Sequence, residues 1–249
     1  MTPSPFQKPI RFLQNRLSPQ GYAGLHLTVG ALVVLICGWC FGEIAEDVSH
    51  GEPIVQVDRY VAVWFHQHAS PIITQVARAI SFFGSVGWLT AVSIGVALFL
   101  VLRRDWLNAS LIALVMGGGG ALNVVLKHFF HRERPVLENP LVTLSSYGFP
   151  SGHTMGATLL YGLLALLAWK NLRNRAARLA CVVGACFWIL LIGLTRIYLG
   201  AHYLTDVLGA LAAGLFWLAF SWTAFETLRW RRHSTRCPTP NIRHPKSKE

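Results

Sequence analysis

Acidic residues are scarce in this chain: 11 Asp and Glu stand against 22 Lys and Arg in 249 residues, a net charge of +11. Charged residues of both signs make up only 13% of the sequence, whereas hydrophobic ones reach 53%. That leaves too little polar side chain to cover a water-soluble globule. Cysteine builds no framework either. Cys37, Cys40, Cys181 and Cys186 lie inside apolar runs and Cys237 in a basic tail, without disulfide or zinc-ligand spacing. The glycine run Gly117–Gly120 has no Lys-Ser/Thr pair after it, which excludes a nucleotide phosphate loop and leaves close helix packing or a flexible point as its reading. The surplus positive charge is not arranged as a basic recognition helix or on an aromatic platform, so nucleic acid is not an expected partner.

What the chain has in quantity is long apolar sequence. A membrane-spanning helix needs about 20 predominantly apolar residues. Six such runs are placed at Ala23–Phe41, Val86–Leu102, Leu107–Phe129, Thr154–Trp169, Ala177–Leu194 and Tyr203–Phe225. The first follows Lys8, Arg11 and Arg16 but lacks a small-residue cleavage site, so it is read as a retained helix rather than a signal peptide. Between the first two spans, Glu43 to Phe83 mixes acids with Trp64, Phe65, Ile72, Ile73, Val76, Ile80 and Phe82, a pattern that suits helices lying at the membrane interface and roofing a site. His66 and His68 fall there too. An i,i+2 pair diverges on a helix, so both are assigned to the interface rather than to a metal. The fold expected is an all-α polytopic membrane protein with six transmembrane helices and an interfacial helical segment between the first two. It divides into a cytoplasmic segment 1–22, a membrane domain 23–228 and a basic cytoplasmic tail 229–249.

Orientation follows from the basic residues. The N-terminus, Arg103-Arg104, Lys170 to Arg178 and the tail from Arg229 hold 16 of the 22 Lys and Arg residues, which places that set of segments in the cytoplasm. The opposite loops contain eight acids and only six bases: Arg59, Arg78, Lys127, Arg132, Arg134 and Arg196.

Four of those bases, Lys127, Arg132, Arg134 and Arg196, fall in three unusual segments: Lys127 to Pro135, Pro150-Ser151-Gly152-His153, and Thr195 to Asp206. Each ends or begins a span, and because helix directions alternate, all three meet at the outer face. Lys127 and Arg134 are seven apart, nearly two helical turns, so a continuing helix would present both to one anion before Pro135 interrupts it. Ser151-Gly152 opens a span, where free backbone N–H groups and the helix dipole suit a phosphate and Gly152 permits close approach. His153 stands beside that anion. His202 and Asp206 are four apart on one helical face, so the carboxylate can hold one imidazole nitrogen and leave the other free to attack. Any one of these residues alone is better read as a cap or a headgroup anchor, and Arg132 is assigned that anchoring role. As a set they are not, because charges at a membrane edge are expensive and these have complementary roles. His128 and His131 are left outside the site.

The three segments resemble the signature of the type 2 phosphatidic acid phosphatase superfamily, the lipid phosphate phosphatases: Lys-x6-Arg-Pro, Pro-Ser-Gly-His and Ser-Arg-x5-His-x3-Asp. The match runs from Lys127 to Asp206, with Thr195 where the pattern commonly has Ser. The resemblance implies that His202 attacks phosphorus to form a phosphohistidine, that His153 protonates the leaving oxygen and later activates water, and that Asp206 orients His202. Lys127, Arg134, Arg196, Ser151 and the Gly152 amide would bind the phosphoryl oxygens. Three fixed cations at the equatorial oxygens supply what phosphoryl transfer requires, so neither a metal nor another cofactor is expected. A transporter is the rival from another class, but it accounts for neither the His202–Asp206 spacing nor Pro-Ser-Gly-His. The expected partners are a lipid phosphate and the bilayer, in a bacterial inner membrane with the site facing outward. Orientation and family analogy favour undecaprenyl pyrophosphate as the substrate, followed by phosphatidylglycerol phosphate, with phosphatidic acid and lipid A 1-phosphate behind them.

Overall fold

A computed structural model describes residues 25–236 except positions 52, 139, 143 and 145. The expected segment 1–22, the first two residues of the first expected span and the tail beyond Arg236 with Cys237 lie outside the described residues. The described chain is helical throughout its regular structure: α1 Leu25–His50, α2 Ile54–Gln67, α3 Pro71–Phe82, α4 Val86–Leu102, α5 Trp106–Ala113, a π-helical turn Leu114–Gly118, α6 Gly119–Phe130, α7 Gly152–Asn171, α8 Arg175–Tyr198 and α9 Leu204–Arg236. Six stretches are long and apolar enough to cross a membrane, from Leu27–His50 through Pro71–Leu102, Trp106–Phe130, Gly152–Asn171 and Arg175–Tyr198 to Leu204–Arg232.

The order matches the expected six spans, but several ends move. α1 continues past Phe41 to His50, and α9 continues past Phe225 to Arg236, so no break separates the membrane domain from the residues just after 228. The segment between the first two spans forms α2 and α3, and α3 joins α4 through the short turn Phe83–Ser85. Caps define these starts: Ser70 accepts from the Ile73 amide at α3, and Ser85 from the Trp88 amide at α4. Pro71 stands at the first turn of α3, where its missing N–H costs nothing.

α7 is the central element, packed against α8 and α9, while α9 lies along α1. The main core joins Leu111 and Ile112 of α5 and Val115 of the π-helical turn to Met155, Leu159 and Leu163 of α7 and Ala210, Ala213 and Leu218 of α9. Lipid tails are as apolar as leucine, so close van der Waals approach rather than water exclusion holds such helices together. The glycine run serves that approach. A Cβ on Gly118 would lie 2.4 Å from Trp217 Cζ2, and one on Gly119 2.3 Å from Leu159 Cδ1. Above the core, Phe149 is fully buried between Phe41, on which it stacks at a centroid distance of 5.7 Å, and Phe130, which it meets edge-on at 5.0 Å. It anchors the loop that leads into α7.

Candidate functional site

The three motif segments come together at the end of the bundle where α6 ends and α7 and α9 begin. α6 stops at Phe130, because His131 takes a left-handed conformation with φ 47°. Lys127 and Arg134 therefore do not share a continuous helical face, as their spacing predicts. They converge through an irregular strand of chain: Lys127 Nζ and Arg134 Nη2 both donate to the Tyr147 carbonyl, the latter at 3.2 Å. Arg134 is pinned further by Ser146, through Nε to the carbonyl at 2.6 Å and Nη2 to the hydroxyl at 3.0 Å, and by the Ala201 carbonyl at 2.6 Å. His128 and His131 pack their rings against Tyr147.

Ser151 is the N-cap of α7 but its hydroxyl caps nothing; it accepts a hydrogen bond from Thr154 Oγ1 at 3.1 Å in a fully buried position. Its amide donates to the Asp206 carbonyl at 3.0 Å, which joins the starts of α7 and α9. A Cβ on Gly152 would come within 3.2 Å of Asn123 Oδ1 and 4.0 Å of Lys127 Cε. Glycine thus lets α7 approach Asn123 on α6 closely, with the Lys127 side chain in ordinary contact beside it. Asn123 Nδ2 in turn donates to the Pro150 carbonyl at 3.4 Å. His153 lies within electrostatic reach of Arg196, His202, Arg134 and Lys127. With Arg196 it opens onto a cavity of about 520 Å3 whose other walls include Ser81, Phe82, Leu141 and Leu199.

His202 precedes α9 rather than lying within it, yet its pairing with Asp206 forms. Asp206 Oδ2 accepts from His202 Nδ1 at 3.3 Å and from the Tyr203 amide at 2.9 Å. Arg134 Nη1 lies 3.1 Å from His202 Nε2. Guanidinium has only donors and an ionised carboxylate only acceptors, so these two neighbours select one tautomer: Nδ1 carries the proton and Nε2 presents its lone pair. Burial holds the His202 imidazole well below its ordinary value of 6.5, at about 4; Asp206 opposes the shift, and Arg134 and Arg196 add to it. The ring is therefore neutral near pH 7. Arg196 is buried, donates through Nη1 to Ser81 Oγ at 2.6 Å, and has an Nε–H that finds no acceptor among the described residues. A buried donor without a partner costs about 1–3 kcal/mol, which an anionic oxygen would relieve. All eight expected site residues are thus gathered around one neutral imidazole and three cations.

This arrangement has counterparts in known proteins. The PAP2 superfamily model matches residues 108–230, the stretch that carries all three motif segments. Phosphatidylglycerophosphatase B of Bacillus subtilis is 36% identical over 149 residues, 58% of this chain and 71% of the relative. The chain belongs to the PAP2 superfamily. It is a multi-pass membrane lipid phosphate phosphatase. The decaprenylphosphoryl-5-phosphoribose phosphatase of Mycobacterium tuberculosis is 32% identical over 178 residues, 69% of this chain and 89% of the relative. Among solved structures, the crystal structure of a transmembrane PAP2-type phosphatidylglycerolphosphate phosphatase from Bacillus subtilis superposes with a TM-score of 0.73 at 28% identity. That match covers 78% of this chain and 96% of the other.

Arg132 corrects an expectation. It is not a headgroup anchor: its side chain is only 10% exposed, and it bonds Asp206 Oδ1 at 2.6 Å and Asp58 Oδ2 at 2.7 Å. An arginine two positions before Arg134 has the look of a topology signal, and its buried partners are invisible in the sequence. Asp58 and Ser81 were missed for a related reason. Both lie in the segment read as interfacial, and only the buried face of each helix, Asp58 with Ala62 and Ser81 with Ala77, hints that they point inward. No group of three or more metal-ligating side chains exists among the described residues, and His68 instead stacks on Trp64 at 4.5 Å.

Proposed function

We propose that the chain hydrolyses phosphatidylglycerol phosphate, with His202 as nucleophile and the site on the non-cytoplasmic side of a bacterial inner membrane. The observation that carries the mechanism is the alignment Arg134–His202–Asp206. A nucleophilic lone pair on Nε2 faces a cation suited to a phosphoryl oxygen, and the opposite ring nitrogen is held by a carboxylate. In-line attack forms the P–N bond to Nε2 as the P–O ester bond breaks, and His153 delivers a proton to the departing lipid alcohol. His153 then takes a proton from water, which attacks phosphorus, breaks the P–N bond and releases inorganic phosphate. Lys127, Arg134 and Arg196 hold the equatorial oxygens as charge spreads over them, with Ser151 and the Gly152 amide completing the cradle.

The choice of lipid rests on the Bacillus subtilis matches, by sequence and by structure, whose names specify phosphatidylglycerol phosphate hydrolysis. This displaces undecaprenyl pyrophosphate from first place. A polyprenyl phosphate remains the second reading, favoured by the decaprenyl-linked mycobacterial relative. The proposed organisation keeps residues 1–22 and the tail from 229 on the cytoplasmic side, in line with their basic residues.

Purified protein in detergent should release phosphate from phosphatidylglycerol phosphate with a higher kcat/KM than from undecaprenyl pyrophosphate, phosphatidic acid or lipid A. His202→Ala should abolish release. Preference for the polyprenyl pyrophosphate would overturn the choice of lipid alone. Near-normal turnover by His202→Ala would overturn the mechanism.

A further inference from the structure

The carboxylate that orients His202 is itself held, by a buried group outside the three motifs' expected roles. Arg132 Nη1 donates to Asp206 Oδ1 at 2.6 Å and to Thr205 Oγ1 at 2.6 Å, and Nη2 donates to Asp58 Oδ2 at 2.7 Å. Thr205 bridges back: its amide donates to Asp58 Oδ1 at 3.0 Å and its hydroxyl to Asp58 Oδ2. The guanidinium lies 4.7 Å from the centroid of the Tyr203 ring. Both carboxylate side chains are fully buried.

We propose that Arg132 and Asp58 are positioning residues for catalysis, acting through Asp206 on His202; the proposal rests on His202 being the nucleophile. The geometry divides the labour of the Asp206 carboxylate. Oδ1 is committed to Arg132, so Oδ2 is turned toward His202 Nδ1 and the Tyr203 amide, and the carboxylate cannot rotate without losing a buried charge-assisted bond. Asp58 fixes the other end of the guanidinium, so a residue on α2 sets the angle of a carboxylate on α9. It also accepts the Thr205 amide, one of the donors left open at the start of α9. A sandwich of two buried carboxylates around one cation is favourable only while the cation is present. Removing Arg132 leaves two like charges facing each other, which drives Asp206 away from its place beside His202.

This makes a specific, non-additive prediction. Arg132→Gln should lower kcat by roughly 10- to 100-fold, the scale on which groups that orient a working imidazole act. KM should hold, because Arg132 and Asp58 bind no phosphate in this scheme. Adding Asp58→Asn to Arg132→Gln should restore part of the lost kcat, since it removes the opposing charge, and Arg132→Lys should retain more activity than Arg132→Gln. The Nδ1–H proton resonance of His202 reports its bond to Asp206 directly, and it should move or vanish in Arg132→Gln and return toward its position in the double variant.

A network that merely ties α2 to α9 would lower thermal stability and leave that resonance and kcat of the folded protein unchanged, which would overturn the proposal. So would purely additive losses in the double variant. If Arg132→Gln does not fold, Asp58→Asn alone decides: reduced kcat at constant KM is expected, and wild-type kcat refutes the idea. His202→Ala run in parallel separates the two levels. Turnover by His202→Ala would sink the nucleophile assignment, whereas an inactive His202→Ala beside a fully active Arg132→Gln would sink the positioning role only.

Discussion

Arg134 and Asp206 grip opposite nitrogens of one imidazole, and that grip sets what each residue change should do. Lys127→Ala, Arg134→Ala and Arg196→Ala should each remove roughly 2–4 kcal/mol of transition-state stabilisation, by analogy with the loss of one oxyanion donor. Assays of kcat/KM on purified variants check this, and a loss of less than tenfold at all three would refute the cationic cradle. His202 makes a separate prediction. Its value of about 4 lies below the ordinary 6.5, so the folded protein should keep the neutral, Nδ1-protonated ring from about pH 8 down to about pH 5. Nitrogen chemical shifts of histidine-labelled protein read the tautomer directly. The sign for stability follows. Below pH 6.5 the unfolded chain takes up a proton that folded His202 refuses, so this residue should weaken the fold progressively as pH falls from 6.5 to about 4.

At the scale of elements, the π-helical turn Leu114–Gly118 adjusts the start of α6, which carries Lys127. The turn widens the helix locally. The Val115 carbonyl there accepts from Trp217 Nε1 on α9 at 3.2 Å, and Gly118 lies directly against the indole. A methyl group at Gly118 would meet the half-buried ring at 2.4 Å, and an indole held by its bond to the Val115 carbonyl cannot swing aside as a flexible chain end would. Gly118→Ala should therefore destabilise the protein by about 1–3 kcal/mol, despite alanine's higher helix propensity. Its thermal unfolding in detergent should shift to lower temperature, while Gly117→Ala, with no atom within 4 Å of the added Cβ, should not. An unchanged midpoint for Gly118→Ala would refute this packing role.

For the whole molecule, alternating helix direction is what gathers the motifs, so topology and chemistry stand together. Single cysteines at Glu138 and Asn174, both exposed, introduced into a cysteine-free background, should label from opposite sides of the membrane, with Glu138 accessible from outside. Labelling of both from one side would break the six-span arrangement. The charge balance of the site also has a global readout. In the proposed mechanism side-chain cations supply the stabilisation, so activity should survive a chelator, and vanadate should inhibit by adopting the trigonal-bipyramidal geometry beside His202. Activity lost in EDTA and restored by Mg2+ would count against the cradle as the complete site.

The sequence by itself determined the six spans and the three motif segments that carry the eight candidate site residues, because each depends on local composition or on short, fixed spacing. Apolar runs of span length need no tertiary information, and a motif such as Pro150-Ser151-Gly152-His153 is legible wherever it lies. Only the tertiary structure decided how those residues meet. The Lys127–Arg134 clamp is built on a shared Tyr147 carbonyl after α6 has ended, not on helical periodicity. Arg132 changed from an anchor into the partner of two buried carboxylates, and Asp58 reaches Asp206 through that arginine from another helix 148 positions away. Such contacts are set by helix packing between distant parts of the chain. One arginine at a membrane edge reads the same whether it faces a headgroup or a buried aspartate, and only burial and partners distinguish the two.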